Sequence, residues 1–533
     1  MAASRNARDP RRLAPAAVAA ALAALYLIWQ PPSLDLAAAE YRAWLFGHAG
    51  FAVWNPQWYG GHHLPGYSVL FPPLADWLGP RLLGALAVVA AAALFEPLAH
   101  GRYGERAWLG ATWLAAGAAT TLYSGRMTFA LGLAPALAAL LALQRRRPAA
   151  ALALALVTPL ASPVDALFVA LAGTAYALGT RRALGLALAV AAMLPVALLA
   201  VAFPEGGTEP FAFSAFWPVL AFAAAALALL PRDERTLRIG VALYALGCTG
   251  AFLLHTPVGG NVVRLGALAA GPLAALVLWR RRTLALACLV PFLLWWQWNA
   301  AVSDVRTASG DPTVHAAYYA PLLAELQRLG PAPGRLEIPF TRLHWESRWV
   351  APAIPLARGW ERQLDVARNG VFYADGGLHG APLTAARYHA WLRENAVRWV
   401  ALPDARLDYS AKAEARLVAR GLPYLRLAWR GAHWRLYAVR DPAPLADPPV
   451  HVVHADADGL ALFSDAPATV RLRVRWTPYW VVAAGDACVE PDGDWTRLRV
   501  RGSGFVELAT RFSLGRIAAR SARCHDATDG IGG

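Results

Sequence analysis

Long apolar runs rich in Ala, Leu and Val fill the first 300 residues of this 533-residue chain, and shorter mixed runs fill the rest. A helix needs about 20 apolar residues, with about 17 still workable, to cross the hydrocarbon core of a bilayer. Eleven segments approach that length: 13–30, 81–99, 107–123, 126–143, 149–162, 164–179, 183–203, 214–230, 237–254, 261–279 and 283–300. The fifth and sixth are short and are separated by Pro159 and Pro163, so they form two passes or one broken pass. Beyond residue 300 the period changes. RLEIPF (335–340) and VRWVALP (397–403) predict strands, and LTAARYHAWLREN (383–395) and YSAKAEARLVARG (409–421) predict helices, the last ended by Gly421. From 446 onward TVRLRVRW (469–476), TRLRVRG (496–502) and FVELATRF (505–512) alternate between turns, the pattern of an antiparallel β-sandwich. The expected fold class is a polytopic α-helical membrane protein of about 11 spans (1–300, with a long first external loop, 31–80). An external α/β domain (301–445) and an external β-sandwich (446–533) follow.

Composition narrows this picture. The chain is 57% hydrophobic and 16% charged, against roughly a quarter charged for soluble domains, which excludes a disordered chain and an ordinary cytosolic enzyme. The net charge of +15 raises nucleic acid as a partner, but the positions of the charges argue against it. With two passes in the 149–179 region, 17 of the 21 arginines before residue 300 fall on one side, at 5–12, 102–106, 145–147, 181–182, 232–238 and 280–282. Arg42, Arg81, Arg126 and Arg264 alone fall on the other. Such asymmetry marks the cytoplasmic side, so the amino terminus is expected in the cytoplasm of a bacterial plasma membrane and everything after residue 300 outside. No basic stripe on a soluble face points to nucleic acid. The first apolar run is longer than a signal-peptide core and several spans follow it, so it reads as a retained helix.

Cys248 and Cys288 lie inside apolar runs, whereas Cys488 and Cys524 are the two in the external part, where oxidation is permitted, and are expected to pair. No Cys/His spacing suggests zinc.

The first external loop is long, and long loops usually serve function. Asp35 follows the first span, and Glu40 comes five residues later on what reads as an amphipathic interfacial helix. A carboxylate there is placed to accept a proton from a hydroxyl nucleophile, or simply to favour a helix start. WNPQWYGGHHLPGY (54–67) follows. Trp58 and Tyr59 suit membrane anchoring or sugar stacking, and His62 and His63 suit a phosphate or hydroxyl. Arg126 and Arg264 sit at the external edges of apolar spans, where a guanidinium is costly and usually has a task, such as pairing with a lipid phosphate. In LASPVD (160–165), Asp165 reads as a partner for Arg126 or as a helix cap. RLHWESRW (342–349) and PLARGWERQLD (355–365) pack aromatic and charged groups together, and His344, Glu346, Arg358, Trp360 and Glu361 are acceptor-side candidates.

An Asp just past the first span, the W-N-P-x-W-Y-G-G loop and the aromatic, Pro-rich stretch Tyr67–Pro73 resemble the GT-C superfamily of integral-membrane glycosyltransferases. More closely, the chain is similar to YfhO-like and actinobacterial multi-pass proteins of that type. The resemblance implies transfer of a sugar from a polyprenyl-phosphate donor to an extracytoplasmic glycan or lipid acceptor, with Asp35 as general base and Glu40 in reserve. No cofactor is expected. The one Asp-x-Asp, Asp456–Asp458, lies far from the loop, which leaves a divalent metal open. The alternative is a non-catalytic membrane scaffold or glycan-binding assembly protein of the cell envelope that keeps the same helices.

Overall fold

The computed structural model describes residues 10–330, 333–373, 382–455, 459–518 and 524; Asp456–Asp458, Arg5 and Arg8 lie outside them. The chain divides into two compact units, one made of residues up to Trp44, Pro65–Ala200 and Gly206–Asp311, the other of Leu45–Leu64, Val201–Glu205 and Pro312 onward.

The first unit is helical. In chain order its helices are α1 (Pro10–Trp29), α2 (Leu34–Ala49), α3 (Phe71–Leu78), α4 (Pro80–Tyr103), α5 (Ala107–Ala118), α6 (Thr120–Tyr123) and α7 (Met127–Gln144). They continue as α8 (Pro148–Ala161), α9 (Pro163–Thr180), α10 (Ala183–Ala202), α11 (Phe213–Leu229), α12 (Arg235–Leu253), α13 (Val263–Leu278) and α14 (Thr283–Ala308). Each apolar segment read from the sequence is therefore helical. Among the described residues, eight helical runs are long and apolar enough to cross a membrane, with Pro80–Tyr123 taken as a single run of 44 residues, and α8 and α11 are shorter apolar helices. As one rod those 44 residues would extend about 66 Å, twice the hydrocarbon thickness. A 3-10 turn at Gly104–Arg106 breaks the run instead, and α4 packs along α5.

The short segments around Pro159 and Pro163 are two helices meeting at Ser162, whose extended backbone ends α8 and whose hydroxyl caps α9 at Asp165. A Cβ on Gly132, near the start of α7, would meet Asp165 at that junction. The helix α8 thus returns alongside α7, and α9 runs back again.

Surface and interior match an apolar solvent. Leu186, Val190, Leu194 and Leu198 of α10 recur every fourth residue and are all exposed, forming one bare apolar face. Inside, Gln297 of α14 accepts from the Trp113 indole (3.0 Å) and donates to the Leu268 carbonyl (3.0 Å), tying α5, α13 and α14. Such pairing is the usual condition for a polar side chain within an apolar bundle.

The second unit is built from sheets. A four-stranded sheet of β3 (Arg335–Glu337), β4 (Val397–Pro403), β5 (Leu425–Arg430) and β6 (Trp434–Val439) has the order β3-β4-β6-β5, parallel only between β3 and β4. With it come α15 (Ala316–Arg328), α16 (Glu346–Trp349), α17 (Arg362–Arg368), α18 (Ala385–Glu394) and α19 (Lys412–Arg420). The core that α18 and α19 share with the sheet includes Tyr388, Leu392, Val400 and Val418.

Seven further strands follow: β7 (Val450–Ala455), β8 (Gly459–Ser464), β9 (Ala468–Arg475), β10 (Trp480–Ala484), β11 (Ala487–Asp492), β12 (Trp495–Val500) and β13 (Gly504–Thr510). They form two antiparallel sheets, β10-β13-β8-β7 and β11-β12-β9. Leu460, Leu462, Val470, Leu472, Leu498 and Leu508 from both sheets share one core, as the alternation in sequence predicts.

The first loop departs from its expected role. Residues 45–64 belong to the second unit, where β1 (Trp54–Asn55) and β2 (His62–His63) form a hairpin. Trp54 enters the sandwich core, and the Gln57 carbonyl accepts from the Leu356 amide at 2.8 Å. The loop therefore laces the sandwich to the α/β layer. The Cys488–Cys524 disulfide is present, and Cys248 and Cys288 are free thiols. Alkylation of the denatured, unreduced protein should label those two cysteines and, after reduction, all four; intact-mass measurement counts them.

Candidate functional site

Three segments far apart in sequence meet at one carboxylate. Asp35 occupies the first turn of α2, Arg126 precedes α7, and Arg264 lies in the first turn of α13. The Arg126 Nε stands 3.5 Å from Asp35 Oδ2, and the Arg264 Nη2 stands 3.9 Å from the same oxygen. Both separations are too long for hydrogen bonds, so these are ion pairs in which the guanidinium N–H groups keep their donor capacity. A carboxylate at the start of a helix is favoured, but a cation there is not. Two arginines at the N-terminal ends of α7 and α13 therefore work against both helix dipoles, and the charges of Asp35 and Glu209 act on Arg264 in compensation. The arrangement sets two guanidinium groups at helix starts, where their N–H donors and the helix ends can together meet an anion.

Gly125 brings Arg126 to Asp35. Its backbone is left-handed (φ 75°), and a Cβ there would stand 2.4 Å from Ser33 Oγ and 2.5 Å from the Leu36 amide nitrogen. The turn into α7 can press against the start of α2 only without a side chain. Gly125→Ala should cost about 1–3 kcal/mol by overpacking and strain, read as a lower unfolding midpoint of the detergent-solubilised protein.

Around this trio, the Arg264 guanidinium lies 5.6 Å from the Phe129 ring centroid. Arg42, seven residues after Asp35 and so on nearly the same face of α2, stacks on the Tyr67 ring at 3.6 Å. Asp165 pairs with neither arginine at contact distance; it lies in the first turn of α9, where its amide donates to the capping Ser162 hydroxyl at 3.4 Å. Glu40 lies about 140° around α2 from Asp35, facing away from the arginines. The expected interfacial helix is corrected as well. Leu36, Ala37, Ala38 and Ala39 are all buried, and four successive residues cover every face of a helix.

The remaining sequence candidates belong to the second unit, and its packing changes their roles. Trp58 and Tyr59 are fully buried, Trp58 stacked on His62 and Tyr59 donating to the Glu361 carbonyl at 2.9 Å, so neither ring has a face for a sugar or a membrane. His63 is buried against Glu205 (Nδ1 to Oε1, 2.8 Å) and Thr477 (3.1 Å), and Arg368 holds the other Glu205 oxygen at 2.6 Å. His62 and His63 thus knit the hairpin into its unit rather than meeting a lipid phosphate. Burial raises the Glu205 pKa, but Arg368 and His63 outweigh it and hold the carboxyl at about 2 instead of 4.5. A depressed folded pKa gives stability that is present above the unfolded value and lost as pH falls through the folded one. Acidification from about pH 4.5 to 2 should therefore remove up to about 3 kcal/mol from this unit, a loss that Glu205→Gln flattens in thermal unfolding.

The acceptor candidates form a buried ionic core, which corrects the expectation of a glycan-contacting face. Arg358 lies between the Phe340 and Phe372 rings, bonds Asp365 at 3.1 and 2.6 Å and Glu414 at 3.4 Å, and faces Glu337 at 3.9 Å. Tyr388 donates to Glu414 (2.8 Å) and Asn369 to Asp365 (2.8 Å). Burial and the neighbouring Glu414 carboxyl push Glu337 well above the usual carboxylate range. Glu346 is raised to about 7 by burial and accepts from the Thr341 amide and hydroxyl. His344 is lowered by burial beside Arg362 and Asp408. Glu361 is buried, and Trp360 alone among these is half-exposed.

Gly125 and the Glu205–Arg368 pair escaped the sequence reading. Ser124-Gly125-Arg126 between two apolar runs is a visible break, but nothing local joins Glu205 to a residue 163 positions away. Among the described residues no three His, Cys, Asp or Glu side chains group as a metal site. No protein-family model and no curated protein matches this chain, so the functional reading stands on the geometry of Asp35, Arg126 and Arg264.

Proposed function

We propose that the chain is a membrane glycosyltransferase that moves a sugar from a polyprenyl-phosphate donor to an extracytoplasmic glycan or lipid acceptor. The eleven apolar helices are its passes, with the amino terminus in the cytoplasm. The connections α4–α5, α7–α8, α9–α10, α11–α12 and α13–α14 carry the arginine clusters, and the alternate connections carry Asp35, Arg126, Asp165 and Arg264. That distribution supports placing the Asp35 end outside.

The observation that carries the reading is Asp35 between two arginines that, among the described residues, meet it as ion pairs at 3.5 and 3.9 Å and not as hydrogen bonds. Without donor, the carboxylate restrains both guanidinium groups. A lipid phosphate, with more charge and more acceptor oxygens, competes for them and releases Asp35 as a base. Asp35 then takes the proton of an acceptor hydroxyl as its oxygen bonds to the anomeric carbon. The bond from that carbon to the phosphate oxygen breaks with its electrons, and Arg126 and Arg264 stabilise the departing charge.

The test is consumption of polyprenyl-phosphate-linked pentoses and hexoses by the purified, reconstituted protein, with release of polyprenyl phosphate. Absence of turnover across that panel, with intact fold, would leave the scaffold reading in its place.

A further inference from the structure

We infer that the opposite end of the helical unit holds a second anion site, a cavity that binds a phosphate group. The helix that presents Arg264, α13, ends about 20 Å away along its axis beside a cavity of about 160 Å3. Arg102 at the end of α4, Arg106 before α5 and Arg281 after α13 line it, together with the Tyr103 ring and the apolar end of α13. Glu234 is buried at its wall and pairs with Arg102 at 2.8 Å. Three guanidinium groups and one carboxylate thus line the cavity, and the carboxylate pairs with Arg102.

The neighbouring arginines show how an arginine with a structural task looks here. Arg238 donates to the carbonyls of Leu227 (2.7 Å) and Leu230 (2.9 Å) and so caps α11, and Arg282 reaches the Leu229 carbonyl at 3.5 Å. Among the described residues, the side chains of Arg106 and Arg281 make no such bond and no ion pair, yet both line the cavity. A topological signal needs only positive charge near the bilayer; it needs neither a cavity nor a buried glutamate that fixes one arginine at its wall. Planar guanidinium groups around a small polar space with an apolar side suit a phosphate, either free or as the headgroup of an anionic lipid. This inference is independent of the reaction proposed at the Asp35 end.

The test uses the full chain with two probes. Thermal unfolding is measured in nanodiscs of phosphatidylcholine, with and without phosphatidylglycerol, and in detergent with increasing inorganic phosphate. The wild-type midpoint is expected to rise with at least one probe, and the rise to disappear in the Arg106→Gln/Arg281→Gln double variant but persist in an Arg146→Gln/Arg147→Gln control. Glu234→Gln, which removes the competing carboxylate, should shift half-saturation by inorganic phosphate to several-fold lower concentration. A response to phosphatidylglycerol alone assigns a lipid headgroup, and a response to phosphate assigns a free anion as well. A wild type indifferent to both probes, or a double variant that responds equally, overturns the proposal.

Discussion

Asp35→Asn is expected to lower the rate of sugar transfer by about 10²–10⁴-fold, the usual worth of a positioned general base, while polyprenyl phosphate binds more tightly than to the wild type. The two effects have one cause. The carboxylate that would accept the acceptor's proton is also the one that occupies Arg126 and Arg264, so its neutralisation removes the base and the competitor together. A general loss of folding would weaken binding and turnover alike. Single-turnover assays for the rate, and equilibrium binding of polyprenyl phosphate for affinity, separate these outcomes. Arg126→Gln and Arg264→Gln should do the reverse, weakening donor binding while leaving Asp35 in place. If Asp35→Asn retains wild-type turnover, Asp35 only pins α2 against α7 and α13.

Arg358→Met is expected to unfold the α/β layer, or to cost at least about 3–5 kcal/mol, the usual penalty for removing one partner of a buried ion pair. Arg358 is 1% exposed and, among the described residues, is the one cation paired with Asp365, Glu414 and Glu337. Without it, Asp365 must stay charged and unpaired in the interior or take up a proton, and either carries a large cost. Methionine fills the space between Phe340 and Phe372, so lost charge rather than lost volume is tested. Arg358→Lys keeps the charge but not the two-pronged bond to Asp365 and should recover only part of the stability. Tryptophan fluorescence during thermal unfolding reports both variants, because the second unit is rich in buried tryptophans such as Trp54, Trp58, Trp434 and Trp480.

The sequence by itself determined the elements. Uninterrupted apolar length specified the membrane helices, because a chain in lipid must satisfy its own backbone polar groups, and period-two alternation specified the sandwich strands, because one face of each strand is buried. It also singled out Asp35, Arg126 and Arg264, since a charge at the edge of an apolar run is costly enough to stand out. Tertiary structure alone decided which charges meet. Sequence shows a break at Gly125 but not that it presses Arg126 toward Asp35, and it carries no signal that joins Tyr59 to the Glu361 carbonyl 302 positions away. It also hid the fate of the polar and aromatic groups in 54–63 and 342–365. The composition that suits a sugar-binding surface also suits a buried, fully bonded core, and only packing, which sets whether water reaches a side chain, distinguishes the two.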